Sequence, residues 1–162
     1  MDFKILHFEA EAAESARLKT SLENDGYHFH ITQTDNAEQF AVLLQSQTFD
    51  AIIAEYHLPD ISGERALELA KSLAPSTAFL FFTDEISYQF IRPLFHHGAQ
   101  DVVFKSHHER LGLAIELAIE REAVCLASES NNGHAIFNSS EQNQLKAALK
   151  KSHELIDLLY KN

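Results

Sequence analysis

A chain of 162 residues, 45% of them hydrophobic, can bury one good core, so one domain plus an appendage is expected. Its 13 basic and 24 acidic residues leave a formal charge of −11, which repels nucleic acid and anionic lipid over most of the surface. The single cysteine, Cys125, excludes an internal disulfide and a cysteine-based zinc site, no apolar run has the length of a membrane span, and the first residues lack the basic end of a signal peptide. A soluble cytoplasmic protein with no nucleic-acid or membrane partner is the expectation.

Phe3 to Phe8 is a compact apolar run that predicts a buried strand ending at Glu9. Glu11 to Asn24 predicts an amphipathic helix carried by Ala13, Ala16, Leu18 and Leu22 and stopped by Asp25-Gly26. Tyr27 to Thr32 predicts a second strand. His28 and His30 share one of its faces, but no third ligand lies nearby, and a solvated edge is the simpler reading. Asp35 or Asn36 caps a second helix that reaches about Gln47.

Ala51 to Ala54 has the length and flanks of a fully buried strand, and Glu55 stands where it gives out. Pro59, Asp60, Ser62 and Gly63 supply turn chemistry before a third helix that stops ahead of Pro75. Ala78 to Phe82 predicts the fourth strand, ending at Thr83-Asp84, and Ile86 to His97 a fourth helix tightened by Pro93. Asp101 to Phe104 predicts the fifth strand, ending at Lys105, and His107 to about Ala127 a long fifth helix. The histidine pairs His96-His97 and His107-His108 point in different directions on a helix, which disfavours joint metal binding.

Strands without polar alternation, separated by helices, predict an α/β fold: a doubly wound, flavodoxin-like sheet of five parallel strands with helices on both faces. Carboxyl ends of strands then converge at one edge, bringing together Glu9 and Glu11, Glu55, Thr83 and Asp84, and Lys105. The domain should occupy residues 1–127, a polar linker 128–140, and an amphipathic C-terminal helix 141–162. That helix carries an apolar seam of Leu145, Leu149, Ile156 and Leu159 and calls for a partner: its own receiver, a downstream domain or, the favoured reading, a second copy forming a homodimer.

Taken together, the acidic end of the first strand, the acidic residue four positions before Pro59 and eight before Gly63, Thr83, and Gly98-Ala99 ahead of Lys105 make the chain resemble the receiver domains of two-component response regulators. The stretch Asp101 to Ala123 is most similar to receivers joined to sensor histidine kinases with PAS domains. The resemblance implies a phosphorelay module whose partners are a histidine kinase or a PAS-type sensor. It places Glu55 at the position of the phosphoacceptor aspartate, Glu9 and Ala10 at the acidic pair of the first strand, and Thr83 and Lys105 at the switch and phosphate-binding positions; Glu11 beside them is either a further member of the acidic pocket or a solvated first-turn residue favoured by the helix dipole.

Four departures from the family pattern follow. Ala10 stands where the direct magnesium ligand belongs, and an alanine side chain offers no oxygen donor, so no cofactor is expected. Val102 replaces the switch aromatic, and Ser106 the proline after the lysine. Glutamate at position 55 moves the attacking oxygen by about 1.5 Å, and a misplacement of about 1 Å lowers a rate roughly 100-fold. The expected function is a non-catalytic, non-phosphorylatable receiver that signals through protein contacts, with Glu55 either a permanent mimic of the phosphorylated state or a relic paired with Lys105. The alternatives are a working phosphoryl receiver that uses Glu55 and a scaffold or dimerisation module.

Overall fold

The computed structural model of the chain describes residues 2–130. Five parallel strands form one sheet in the order β2-β1-β3-β4-β5. In chain order the elements are β1 (Lys4–Phe8), α1 (Ala12–Asn24), β2 (His30–Thr34), α2 (Ala37–Ser46), β3 (Ala51–Ala54), α3 (Gly63–Leu73), β4 (Ala78–Thr83), α4 (Tyr88–His96) and β5 (Asp101–Phe104). A 3-10 turn (Lys105–Arg110) and α5 (Leu111–Ser130) complete them. The strand order doubles back at β1 and β3, the switch point at which such sheets open a crevice.

Both faces of the sheet are covered, as unbroken apolar strands require. Leu6, Phe8, Ile52, Ala54, Phe79 and Phe81 turn toward Phe40 of α2, Leu67 of α3 and Leu94 of α4. Ile5, Ile53, Leu80 and Val103 turn the other way, toward Leu18 and Leu22 of α1 and Leu111 and Ile115 of α5. Among the described residues no helix is long and apolar enough to cross a membrane.

The structure differs from the sequence reading in several elements. β2 begins at His30, not Tyr27: the Tyr27 amide donates to Leu22 O at 2.8 Å to close α1, and the strand pairing starts where His30 meets Lys4. Tyr27 stacks on Phe29 against the second core layer instead. α1 buries Ser15 along with Leu18 and Leu22, while Ala13 and Ala16 face solvent. α5 starts at Leu111, because the chain first makes the 3-10 turn in which the Arg110 guanidinium donates to Asp101 Oδ2 at 2.7 Å.

The chain divides into two units, Met1–Leu126 and Ala127–Asn162. Ser128 to Ser130, assigned from sequence to a linker, are the last described residues of α5. The remainder of the expected linker and the expected helix 141–162 lie outside the described residues.

Candidate functional site

The ladder hydrogen bonds run past the ends of the strands and fix the loops that carry the site. The Glu9 amide donates to Thr34 O and the Glu55 amide to Phe8 O, each at 3.0 Å, so both side chains leave from backbone that is still held by its neighbours. After Glu55 the loop folds back on itself: His57 bridges Ser62, and the Gly63 amide donates to Tyr56 O at 3.1 Å. A Cβ on Gly63 would lie 2.9 Å from that carbonyl oxygen and 2.7 Å from the Tyr56 ring, so this closure requires glycine. Ser62 then caps α3, accepting from the Arg65 amide at 3.2 Å.

Lys105, arriving from the end of β5, lies at the centre. Its Nζ is 2.8 Å from Glu55 Oε2, 3.4 Å from Glu9 Oε2 and 3.6 Å from Glu14 Oε2. The other Glu55 oxygen, Oε1, accepts from the Thr83 hydroxyl, from the Tyr56 amide at 2.7 Å and from the His57 amide at 3.1 Å. Both oxygens of a nearly buried carboxylate are therefore occupied by donors of this chain. Burial pushes the Glu55 carboxyl upward, but the hydrogen bonds from Lys105, Thr83 and the His57 amide outweigh it and hold the carboxyl below its ordinary range. Burial acts to lower Lys105, and the bond to Glu55 with the charges of Glu55, Glu9 and Glu14 raises it well above an ordinary lysine.

The residues singled out in the sequence are brought together unequally. Glu9, Glu55, Thr83 and Lys105 form one bonded cluster. Glu11 is exposed at the N-cap of α1; its amide donates to Glu9 Oε1 at 3.0 Å, so its backbone supports the pocket while its carboxylate stays at the rim. The cluster opens into a cleft of about 470 Å³ that Ala10, Glu14 and Asp84 also line. Five carboxylates, Glu9, Glu11, Glu14, Glu55 and Asp84, face this cleft against one lysine, so its field is negative.

Two neighbours were not anticipated. Glu14 comes one turn into α1 to share Lys105, and His7, buried on β1 behind the cluster, pairs its Nδ1 with Ser15 Oγ at 2.9 Å while its Nε2 has no partner among the described residues. Burial and the nearby Lys105 lower the His7 imidazole to about 4, against a weaker opposing effect of Glu55. Val102, which the resemblance sets at the position of the switch aromatic, is a fully buried residue of β5. Asp60, read as a turn residue, accepts from the Ala37 amide, and Asp50 from the Lys4 amide, at 2.7 Å each. His28 and His30 are exposed, as a solvated edge requires.

A receiver-domain profile, described as response regulator receiver domain, matches residues 5–116. A comparison with curated proteins gave no match. Among solved structures, the adenylate cyclase from Rhodopirellula baltica superposes with a TM-score of 0.72 at 16% identity, over 83% of this chain and all of that one. The signal receiver domain of an HD domain-containing protein from Pseudomonas fluorescens Pf-5 gives 0.65 at 25% identity, over 76% of this chain and 99% of that one. The receiver domain of a sensor histidine kinase from Pseudomonas aeruginosa, solved with a magnesium ion coordinated in its active site cleft, gives 0.63 at 17% identity over 74% and 99%. The sheet order and the match over residues 5–116 carry one conclusion: this chain belongs to the response regulator receiver domain family.

Proposed function

We propose that the domain is a regulatory receiver of a two-component phosphorelay that does not accept a phosphoryl group and acts through contacts with signalling proteins, a histidine kinase or a PAS-type sensor module. The observation that carries this reading is the full engagement of Glu55: Lys105 holds one oxygen, and Thr83 with two backbone amides holds the other. An attacking carboxylate needs a free oxygen in line with the phosphorus and a metal ion to neutralise the transferring oxygens. The acidic cleft also repels an anionic phosphoryl donor.

Magnesium fits these residues poorly. It demands near-octahedral oxygen ligands at about 2.0–2.1 Å, whereas Ala10 supplies none from its side chain and the Lys105 ammonium already lies between Glu9 and Glu55. We assign Lys105 the charge-neutralising role within the pocket, Glu55 and Glu9 the role of its counter-ions, and no cofactor or catalytic residue. The inward hydroxyl of Thr83 supports a pocket held in one state, because the group that would report a phosphoryl oxygen is already bound to Glu55.

Restoring the missing carboxylates tests the assignment of positions. The double substitution Ala10→Asp with Glu55→Asp shortens the acceptor and adds an oxygen donor at the rim of the cleft. Its magnesium affinity, read by titration calorimetry on the full chain, should exceed that of the unaltered protein by at least about tenfold, or about 1.4 kcal/mol. Equal affinities would contradict the placement of Ala10 and Glu55 in the ion's site.

A further inference from the structure

At the end of the sheet opposite Glu55, the start of β1, the turn before β2 and α5 surround a second cavity, of about 440 Å³. One wall of it is aromatic. Tyr27 stacks on Phe29 with ring centroids 5.6 Å apart and 12° between the planes, and Phe3 leans on Phe29 at 6.1 Å and 33°. Gly112 lets this wall sit against α5, since a Cβ there would lie 2.2 Å from the Tyr27 ring. All three aromatic residues are half-buried and line the cavity. The rest of the lining carries the carboxylates of Asp2, Glu116 and Glu120, the last two a helical turn apart on α5, where like charges repel. Among the described residues no lysine or arginine lines it, Glu116 and Glu120 make no ion pair, and Asp2 has the His30 ring at 4.0 Å. The Tyr27 phenol is raised above its ordinary value by burial and then by the charges of Glu116 and Asp25, so the negative field reaches the rings. These side chains do not converge on a point: among the described residues no group of three or more is placed to hold a metal ion.

We propose that this cavity binds a guanidinium group, seated on the wall of Phe3, Tyr27 and Phe29 and paired with the carboxylates of Glu116 and Glu120. Separated carboxylates beside aromatic rings suit a cation that is broad and weakly hydrated, because the ring quadrupole attracts it without replacing a tight water shell. Guanidinium has that character. It is planar, spreads its charge, and presents a rigid fork of donors that matches carboxylates, whereas a lysine ammonium is a compact and strongly hydrated point charge. Residues 131–162 hold four lysines and no arginine, so the group comes from outside that segment. An arginine within a peptide is the favoured source, because free arginine brings its own carboxylate into a field of three others. The cavity lies at the other end of the sheet from Lys105, and its occupation is independent of whether Glu55 accepts phosphate.

Titration of the full chain with the blocked tripeptide acetyl-Gly-Arg-Gly-amide, followed by amide shifts in NMR, tests it. Saturable shifts are expected at Phe3, Tyr27, Phe29 and Glu116, with Glu55 and Lys105 unmoved, and the lysine tripeptide should bind at least about tenfold more weakly. Glu116→Gln combined with Glu120→Gln, and separately Phe29→Leu, should each lower the affinity for the arginine tripeptide at least about tenfold. Free L-arginine distinguishes the sources: an affinity at least about tenfold below that of the tripeptide supports a peptide arginine, and an equal affinity overturns that source in favour of a small guanidinium solute. Shifts that never saturate, or that spread over the whole acidic surface, overturn the site. So does equal affinity for the lysine tripeptide, or binding that survives the double glutamine change. Should Phe29→Leu fail to fold, the glutamine pair decides, because it removes charge from α5 without touching the buried stripe of Leu111 and Ile115.

Discussion

Lys105→Met is expected to destabilise the domain by about 3 kcal/mol at neutral pH, read as a shift in the urea unfolding midpoint. The methionine conserves the bulk of the side chain but leaves Glu55, Glu9 and Glu14 facing one another without the ammonium that neutralises them. Breaking a buried ion pair from one side costs about 3–5 kcal/mol, and the lower end applies here because Lys105 keeps some exposure at the cleft. Glu55→Gln alone should cost less, since Glu9 and Glu14 still accompany the lysine. Combining it with Lys105→Met should recover a substantial part of the loss, because the two changes remove coupled partners.

The pH dependence follows from the sign of the shifts. The Glu55 carboxyl is depressed in the fold, so its contribution is present above about pH 4.5 and is lost as pH falls through the lower folded value. Lys105 is raised, so its contribution is complete below about pH 10.5 and is lost only as pH climbs through a still higher folded value. The deficit of Lys105→Met should therefore be largest near neutrality and shrink in acid, where the stranded carboxylates take up protons. A deficit constant from pH 7 to pH 3 would show that lost packing, and not charge, causes it.

His7 gives a second large effect in a different window. The unfolded imidazole takes a proton near pH 6.5, whereas the folded one resists until about pH 4. Between these values the unfolded state binds more protons, so stability is fully present above about pH 6.5 and falls by about 3 kcal/mol as pH drops to about 4. The loss precedes that from Glu55, which begins only where ordinary glutamates titrate. His7→Leu keeps similar bulk in β1 and removes a buried Nε2 that has no hydrogen-bond partner among the described residues. Its stability should be nearly flat between pH 6.5 and 4.5 and should exceed that of the unaltered protein at pH 5. Parallel curves for the two proteins across that window would remove His7 from the account of acid lability.

The parts of the site that were legible in the sequence are those attached to strand ends. A fully apolar strand has little freedom in length or direction, so Ala51 to Ala54 places Glu55, and Asp101 to Phe104 places Lys105, within contact across the sheet. Helices and edge strands were harder to read. In α1 the sequence pattern includes Ala13 and Ala16, yet alanine is indifferent to exposure, and both face solvent. Counting back from Leu22 and Leu18 by a turn of the helix reaches Ser15 and Glu14, the residues that meet His7 and Lys105. A polar residue on the inner stripe was the available signal for both. His7, in phase with Ile5 on the α1 side of the sheet, carried the same signal from the other direction. The start of β2 is hidden in the sequence because aromatic residues favour strands, whereas Tyr27 and Phe29 belong to the packing beneath α5, where Gly112 leaves room for the Tyr27 ring.

On the proposed function, hydrogen bonds and the Lys105 charge withdraw Glu55 from phosphoryl chemistry. Incubation of the full chain with acetyl phosphate and magnesium, followed by intact-mass spectrometry at neutral pH, tests it directly. No species heavier by one phosphoryl group is expected, either for the unaltered protein or for Glu55→Gln. An acid-labile phosphoryl adduct on the unaltered protein that is absent from Glu55→Gln would contradict the claim and make this domain a working receiver.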